Sequence, residues 1–236
     1  MKSSIEDLQK RGLATVNDIG NLRNISPEKL IDLLHSECAT TRTAAAYNLY
    51  PTNESVTNEL LKQLSDESCL YTKLAICKSL EKGNIDTAKQ MTHYLGKIGN
   101  NHHKKLPKKV SDKKSFPLPR DIIARSLGKM NIVVFPVLFE VLNSSNKCKI
   151  SEALDAIGFM TFYNPVLPIT ENSTHIFRLA DIYAKNELIL WKILICLSAF
   201  PLKETKEVLL RYAHIDGVLG KEAQRSLWIL ENRNGI

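Results

Sequence analysis

Turn-forming residues are scarce in this chain. Ten glycines and nine prolines occur in 236 residues, about 8% against a usual combined share of about 12%. A fold of many short strands joined by tight turns is thereby disfavoured, and helices are favoured. Cysteine occurs five times (Cys38, Cys69, Cys77, Cys148, Cys196), an odd number with no CxxC pair, so neither a disulfide framework nor a zinc ribbon is read here. Buried reduced thiols and a cytoplasmic location are the expectation. Long apolar runs are also missing. The longest, Leu188 to Phe200, is interrupted by Lys192 and is too short to span a bilayer. The segment Met1 to Val16 carries five charged residues and no apolar core, so no secretory signal is read there.

Familiar catalytic patterns are missing as well. The six histidines (His35, His93, His102, His103, His175, His214) form no HExxH, and no Cys/His set has zinc-ligand spacing. His102 and His103 are adjacent, but the lysines around them oppose a bound cation. There is no Gly-rich phosphate loop and no GxSxG elbow. No catalytic residue, metal ligand or cofactor is therefore assigned. Trp191 and Trp228 lie in apolar stretches and read as core residues. Glu152 and Asp155 stand three apart on one helix and read as a solvated surface pair.

What the chain does contain is a repeat. From Pro27, Ser26 caps a helix with Leu30, Ile31, Leu33 and Leu34 on its apolar face. A polar turn, Ser36 to Thr41, leads to a second helix bearing Arg42, Ala44, Ala45, Ala46 and Leu49. The next unit repeats this with Leu60, Leu61 and Leu64, a turn from Ser65 to Ser68, then Lys73, Ala75, Ile76 and Leu80. In both, the basic residue precedes a small residue by two and a leucine by seven. Arg120, Ala124, Leu127 and Gly128 keep most of the pattern. Ile150, Ala153, Ala156, Ile157 and Gly158 keep its small residues, and Leu188 to Phe200 and Lys221 to Leu230 are the weakest copies.

This combination resembles the HEAT repeat family, including the HEAT repeats of the phycobilisome-lyase type. The resemblance implies an all-α fold, an α-α superhelix of about six antiparallel hairpins. The whole chain, 1–236, then reads as one solenoid with a helical cap over 1–26, in which Ser4, Ile5 and Leu8 open a helix, and repeats over 27–232.

One segment breaks the pattern. Residues 100–118 read NNHHKKLPKKVSDKKSFPL, and Pro107 and Pro117 bar a continuous helix. This reads as a long loop inserted in the third repeat, between a helix over 85–98 and one starting near Pro119, too polar to pack and open to proteolysis. Residues 97–120 hold eight basic residues and one acid, a net +7, which equals the charge of the whole chain. The rest is balanced, so the basic character is local. Lys104, Lys105, Lys108, Lys109, Lys113, Lys114 and Arg120 are the candidate contacts for a polyanion or other partner.

Two functions follow as expectations. The first is a non-enzymatic protein-interaction module or scaffold with a protein partner, as the HEAT resemblance implies. The alternative is a nucleic-acid-binding protein using the basic loop, similar at the level of fold to the HEAT-like DNA alkylation-repair glycosylases, none of whose residues carries over. A third, more distant resemblance is to the HEAT-like chromophore lyases.

Overall fold

The computed structural model describes residues 4–232, and among these all regular structure is helical. No helix among the described residues is long and apolar enough to cross a membrane. The chain divides into two compact units, one ending at Gly99 and the other beginning at Asn100.

The first unit holds α1 (Ile5–Lys10), α2 (Val16–Gly20), α3 (Pro27–Leu34), α4 (Ala39–Asn48), α5 (Glu54–Asp66), α6 (Leu70–Leu80) and α7 (Ile85–Thr92). Their starts are set by local chemistry. Ser4, Ser26, Asn53 and Asn84 each accept a hydrogen bond from a backbone N–H in the first turn that follows, and Thr15 forms a reciprocal capping box with Asp18. Helix α3 packs on α4 and α5, α4 on α6, and α5 on α6 and α7. Leu34, Leu60, Leu61 and Leu64 are wholly buried between them, as are Ala45 and Ala46. The small alanines bring α4 close to its neighbours. Thr43 and Thr72 hydroxyls meet at 2.9 Å across α4 and α6. Gly12 lies against them with φ +90°, where a Cβ would stand 2.7 Å from Thr72 Oγ1, so both conformation and space require glycine.

The basic residue of the repeat has a defined task in the first hairpin. Arg42 donates through Nε and Nη2 to the two oxygens of Glu67, at 2.8 and 2.9 Å, and through Nη1 to the carbonyls of Ser36 and Glu37. It thus ties its own turn to that of the next hairpin. Glu67 also accepts from the backbone N–H groups of Ser68 and Cys69 and from Gln63, so it satisfies the start of α6, which Cys69 does not cap through its side chain. Burial opposes ionisation of Glu67, but the hydrogen bonds from Arg42, Cys69 and Gln63 outweigh it and bring the pKa down to about 2.

The second unit holds α8 (Ile122–Leu127), a 3₁₀ turn (Ile132–Val134), α9 (Phe135–Leu142), α10 (Lys147–Tyr163), α11 (Thr170–Ile182), α12 (Glu187–Leu197), α13 (Lys203–Ala213) and α14 (Val218–Asn232). Helix α10 packs on α8, α9 and α12, and α12 packs on α11, α13 and α14. Helices α8, α10, α12 and α14 therefore follow one another in a layer, with α9, α11 and α13 against it. Helix α12 is buried from Ile189 to Leu197, Lys192 included.

Three expectations need correction. The helix from Ile85 stops at Thr92, and the chain continues in turns with Gly96 and Gly99 at positive φ. The cysteines are not uniformly buried. All five are free thiols, but Cys38 and Cys148 are exposed, because they sit at the starts of α4 and α10, where helices emerge from turns. Trp228 is also exposed rather than in the core, on a face of α14 turned away from its buried residues Ala223, Ile229 and Leu230.

The Arg42–Glu67 bridge yields a test. Arg42→Ala leaves a buried carboxylate without its cation and should lower stability by about 3–5 kcal/mol. Lys73→Ala, at the matching position of the second hairpin, should change it by less than about 0.5 kcal/mol. Denaturant melts of both variants check the contrast.

Candidate functional site

The insertion is not a solvated loop. Residues 100–121 belong to the second unit and are held there by apolar, polar and aromatic contacts. Phe116 is 2% exposed, with its ring 6.5 Å from that of Phe159 and 5.9 Å from that of Phe162. It fits because α10 has Gly158 opposite, where a Cβ would lie 2.3 Å from Phe116 Cζ. The repeat's trailing glycine is thus a socket. Arg225 of α14 donates through Nε and Nη2 to the carbonyl of Lys113, at 3.1 and 2.9 Å, and through Nη2 to that of Ser115 at 2.9 Å. Arg125 of α8 donates to the carbonyl of Pro119. These bonds answer the backbone polar groups of a segment with no regular structure of its own. The expectation that 100–118 is too polar to pack is overturned. Its lysines are exposed while Phe116, His103 and the backbone carbonyls of Lys113 and Ser115 do the anchoring.

Beneath this strap lies a cavity of about 780 Å³. Lys108, Lys109, Lys113 and Arg120 line it from the strap, and His103, Asp155, Trp191, Lys192, Glu222 and Arg225 line it as well. The candidate contacts therefore separate into two groups. Lys108, Lys109, Lys113 and Arg120 are brought together on the cavity. Lys104 and Lys105 are exposed, with Lys104 donating to Asn100. Lys114 lies 5.5 Å from the ring centroid of Trp228, a cation–π distance.

The cavity floor was not read from the sequence. Lys192 of α12 is 1% exposed and donates to Asp155 of α10, and Glu152 stands 3.7 Å away, itself fully buried. The reading of Glu152 and Asp155 as a solvated pair is corrected: both face α12, since a buried ammonium requires carboxylates. Glu152 is pushed up to about 7, chiefly by burial, with Lys192 opposing and Asp155 adding to the rise. One oxygen of Glu152 makes no hydrogen bond. Burial raises the Asp155 carboxyl too, with Lys192 opposing, so the floor sets one lysine against two carboxyls that both resist ionisation.

A second chain of contacts crosses the same floor. Trp191 donates through its indole N–H to Glu222 at 3.0 Å, and Glu222 accepts from Arg225 at 2.8 Å. The His103 ring stands edge-on to Trp191, with centroids 4.8 Å apart and planes at 81°. Burial, then the charges of Lys192, Arg120 and His102, bring the His103 pKa down to about 4, so this imidazole is neutral near pH 7. The signal that could have exposed the floor was Lys192 itself, the one charge within the apolar run of α12 from Leu188 to Leu197. Its partners, 37 and 40 residues earlier, carried none.

Among the described residues no group of histidine, cysteine and carboxylate side chains could hold a metal ion. Comparison of the chain with protein-family models, with curated proteins and with solved structures finds no match.

Two outcomes follow from this geometry. Phe116→Ala should free the strap, raising the rate of tryptic cleavage between Lys104 and Lys114 by at least about tenfold while far-UV circular dichroism keeps its helical form. Glu152→Gln should act on pH dependence. A carboxyl whose pKa is higher folded than unfolded loses stability as pH rises from about 4.5 to about 7. His103, depressed to about 4, acts in the opposite sense below about 6.5. The readout is therefore the difference: the parent should lose stability relative to Glu152→Gln as pH rises through that window in urea melts.

Proposed function

We propose that this chain is a binding module of HEAT-like helical hairpins that takes an anionic partner into the strap-covered cleft of its second unit. Two features of the repeat support a HEAT-like solenoid: second helices that stack on one another within each unit, and the basic residue of α4 tied to the turn of the following hairpin.

The observation that carries the binding reading is the charge of the cleft lining. Six cations (Lys108, Lys109, Lys113, Arg120, Lys192, Arg225) face three carboxylates there (Asp112, Asp155, Glu222), although the chain outside residues 97–120 has no net charge. Lys192 and Arg225 are already matched to Asp155 and Glu222, so the excess sits on the strap. Anchoring by Phe116 and Arg225 lowers the entropy that a floppy lysine loop would lose on binding.

Two variants of equal charge test the reading. Lys108, Lys109 and Lys113→Ala removes cations that line the cleft, and Lys104, Lys105 and Lys114→Ala removes as many that do not. Each lowers the formal net charge from +7 to +4. The first should weaken retention on heparin and reduce the salt slope of polyanion binding by about 3. The second should do so to a clearly smaller extent. Equal loss in both would mean diffuse attraction to the strap rather than binding in the cleft.

A further inference from the structure

The rim and the floor of the cleft ask for different chemistry. The rim, Lys108, Lys109, Lys113 and Arg120, offers cations to solvent. The floor offers acceptors: Asp155 lines the cavity with one oxygen engaged by Lys192, and Glu222, which accepts from Trp191 and Arg225, lines it as well. The wall between them is aromatic, formed by His103 on Trp191.

A partner that is anionic throughout satisfies the rim alone. An acidic peptide or a sulfated glycan entering such a cavity would bring further negative charge toward Asp155 and Glu222. A partner that fits both layers has anionic groups on its outside, a flat ring system, and N–H donors at its inner edge. A nucleotide in an unpaired strand has this order. Its phosphates are sequence-independent anions, its base presents a π-face to aromatic side chains, and an exocyclic amino group donates to a carboxylate. The cavity volume, about 780 Å³, falls in the usual range for sites that enclose a small molecule. A paired base has its inner edge occupied and could not reach the floor.

Resting on the proposal that the cleft binds an anionic partner, we infer that the partner is single-stranded nucleic acid. One base is seated against His103 and Asp155, and the flanking phosphates lie on Lys108, Lys109, Lys113 and Arg120. The floor carboxylates favour bases that carry an amino group, cytosine, adenine and guanine over thymine. The strap's carbonyl bonds to Arg225 keep the rim lysines above the cavity and set the distance from phosphate to base.

The test uses the full chain and fluorescently labelled short strands of equal length: oligodeoxycytidylate, oligothymidylate, oligocytidylate RNA, and an abasic strand with the same number of phosphates. Heparin and polyglutamate serve as polyanions without bases. Oligodeoxycytidylate should bind at least about tenfold more tightly than the abasic strand, and more tightly than oligothymidylate. The RNA arm reports whether ribose or deoxyribose is the natural backbone. In the triple variant Asp155→Leu, Glu152→Gln and Lys192→Met, which removes the buried cation together with both carboxyls beside it and so spares the fold an unpaired charge, the preference for cytosine should vanish while heparin retention persists. If that variant fails to fold, the comparison of strands on the parent protein decides alone. Equal binding of base-bearing and abasic strands, or preference for polyglutamate, would overturn this inference and leave the anionic-partner reading standing. Failure to bind any polyanion would overturn both.

Discussion

A side-chain charge taken out of water must meet its opposite, and this requirement organises the second unit around Lys192. The ammonium sits in a helix whose other residues from Ile189 to Leu197 are apolar and buried. The cost of its desolvation is offset by Asp155 and Glu152 on the neighbouring helix and by the Trp191 ring 5.7 Å away. That pairing fixes the face that α10 presents to α12. Arg42 and Glu67 meet the same requirement in the first unit, with a different consequence. There the guanidinium is bidentate and also answers two turn carbonyls, so the pair acts as a fastener between hairpins rather than as the floor of a cavity.

The strap depends on the same unit in a second way. An irregular segment with seven lysine or arginine residues would lie in solvent unless its backbone were satisfied elsewhere. Arg225 does this for two carbonyls, and Phe116 supplies the apolar contact in the space left by Gly158. Glu222 joins the two networks, since it holds Arg225 on one side and the Trp191 indole on the other. Strap position and aromatic wall are therefore coupled through one buried carboxylate, which burial itself raises in pKa and the bonds from Arg225 and Trp191 lower.

Local chemistry was legible in advance. Ser26 before Pro27, the alanines of α4, the break at residues 100–118 and the confinement of excess charge to residues 97–120 are properties of neighbouring residues, and neighbouring residues are what a sequence displays. Helix class, helix starts and the site of the basic cluster therefore needed no tertiary information. The partners of Lys192, the socket for Phe116 and the clamp on the carbonyls of Lys113 and Ser115 could not be read in this way. Asp155 lies 37 residues from Lys192, and Arg225 lies 112 residues from Lys113. Glu152 and Asp155 look the same on paper whether they face water or a buried ammonium. The helical periodicity that identifies α10 leaves open which neighbour covers each face. Packing of α12 against α10 settled that question, and with it turned a surface pair into a cavity floor and a polar loop into an anchored strap.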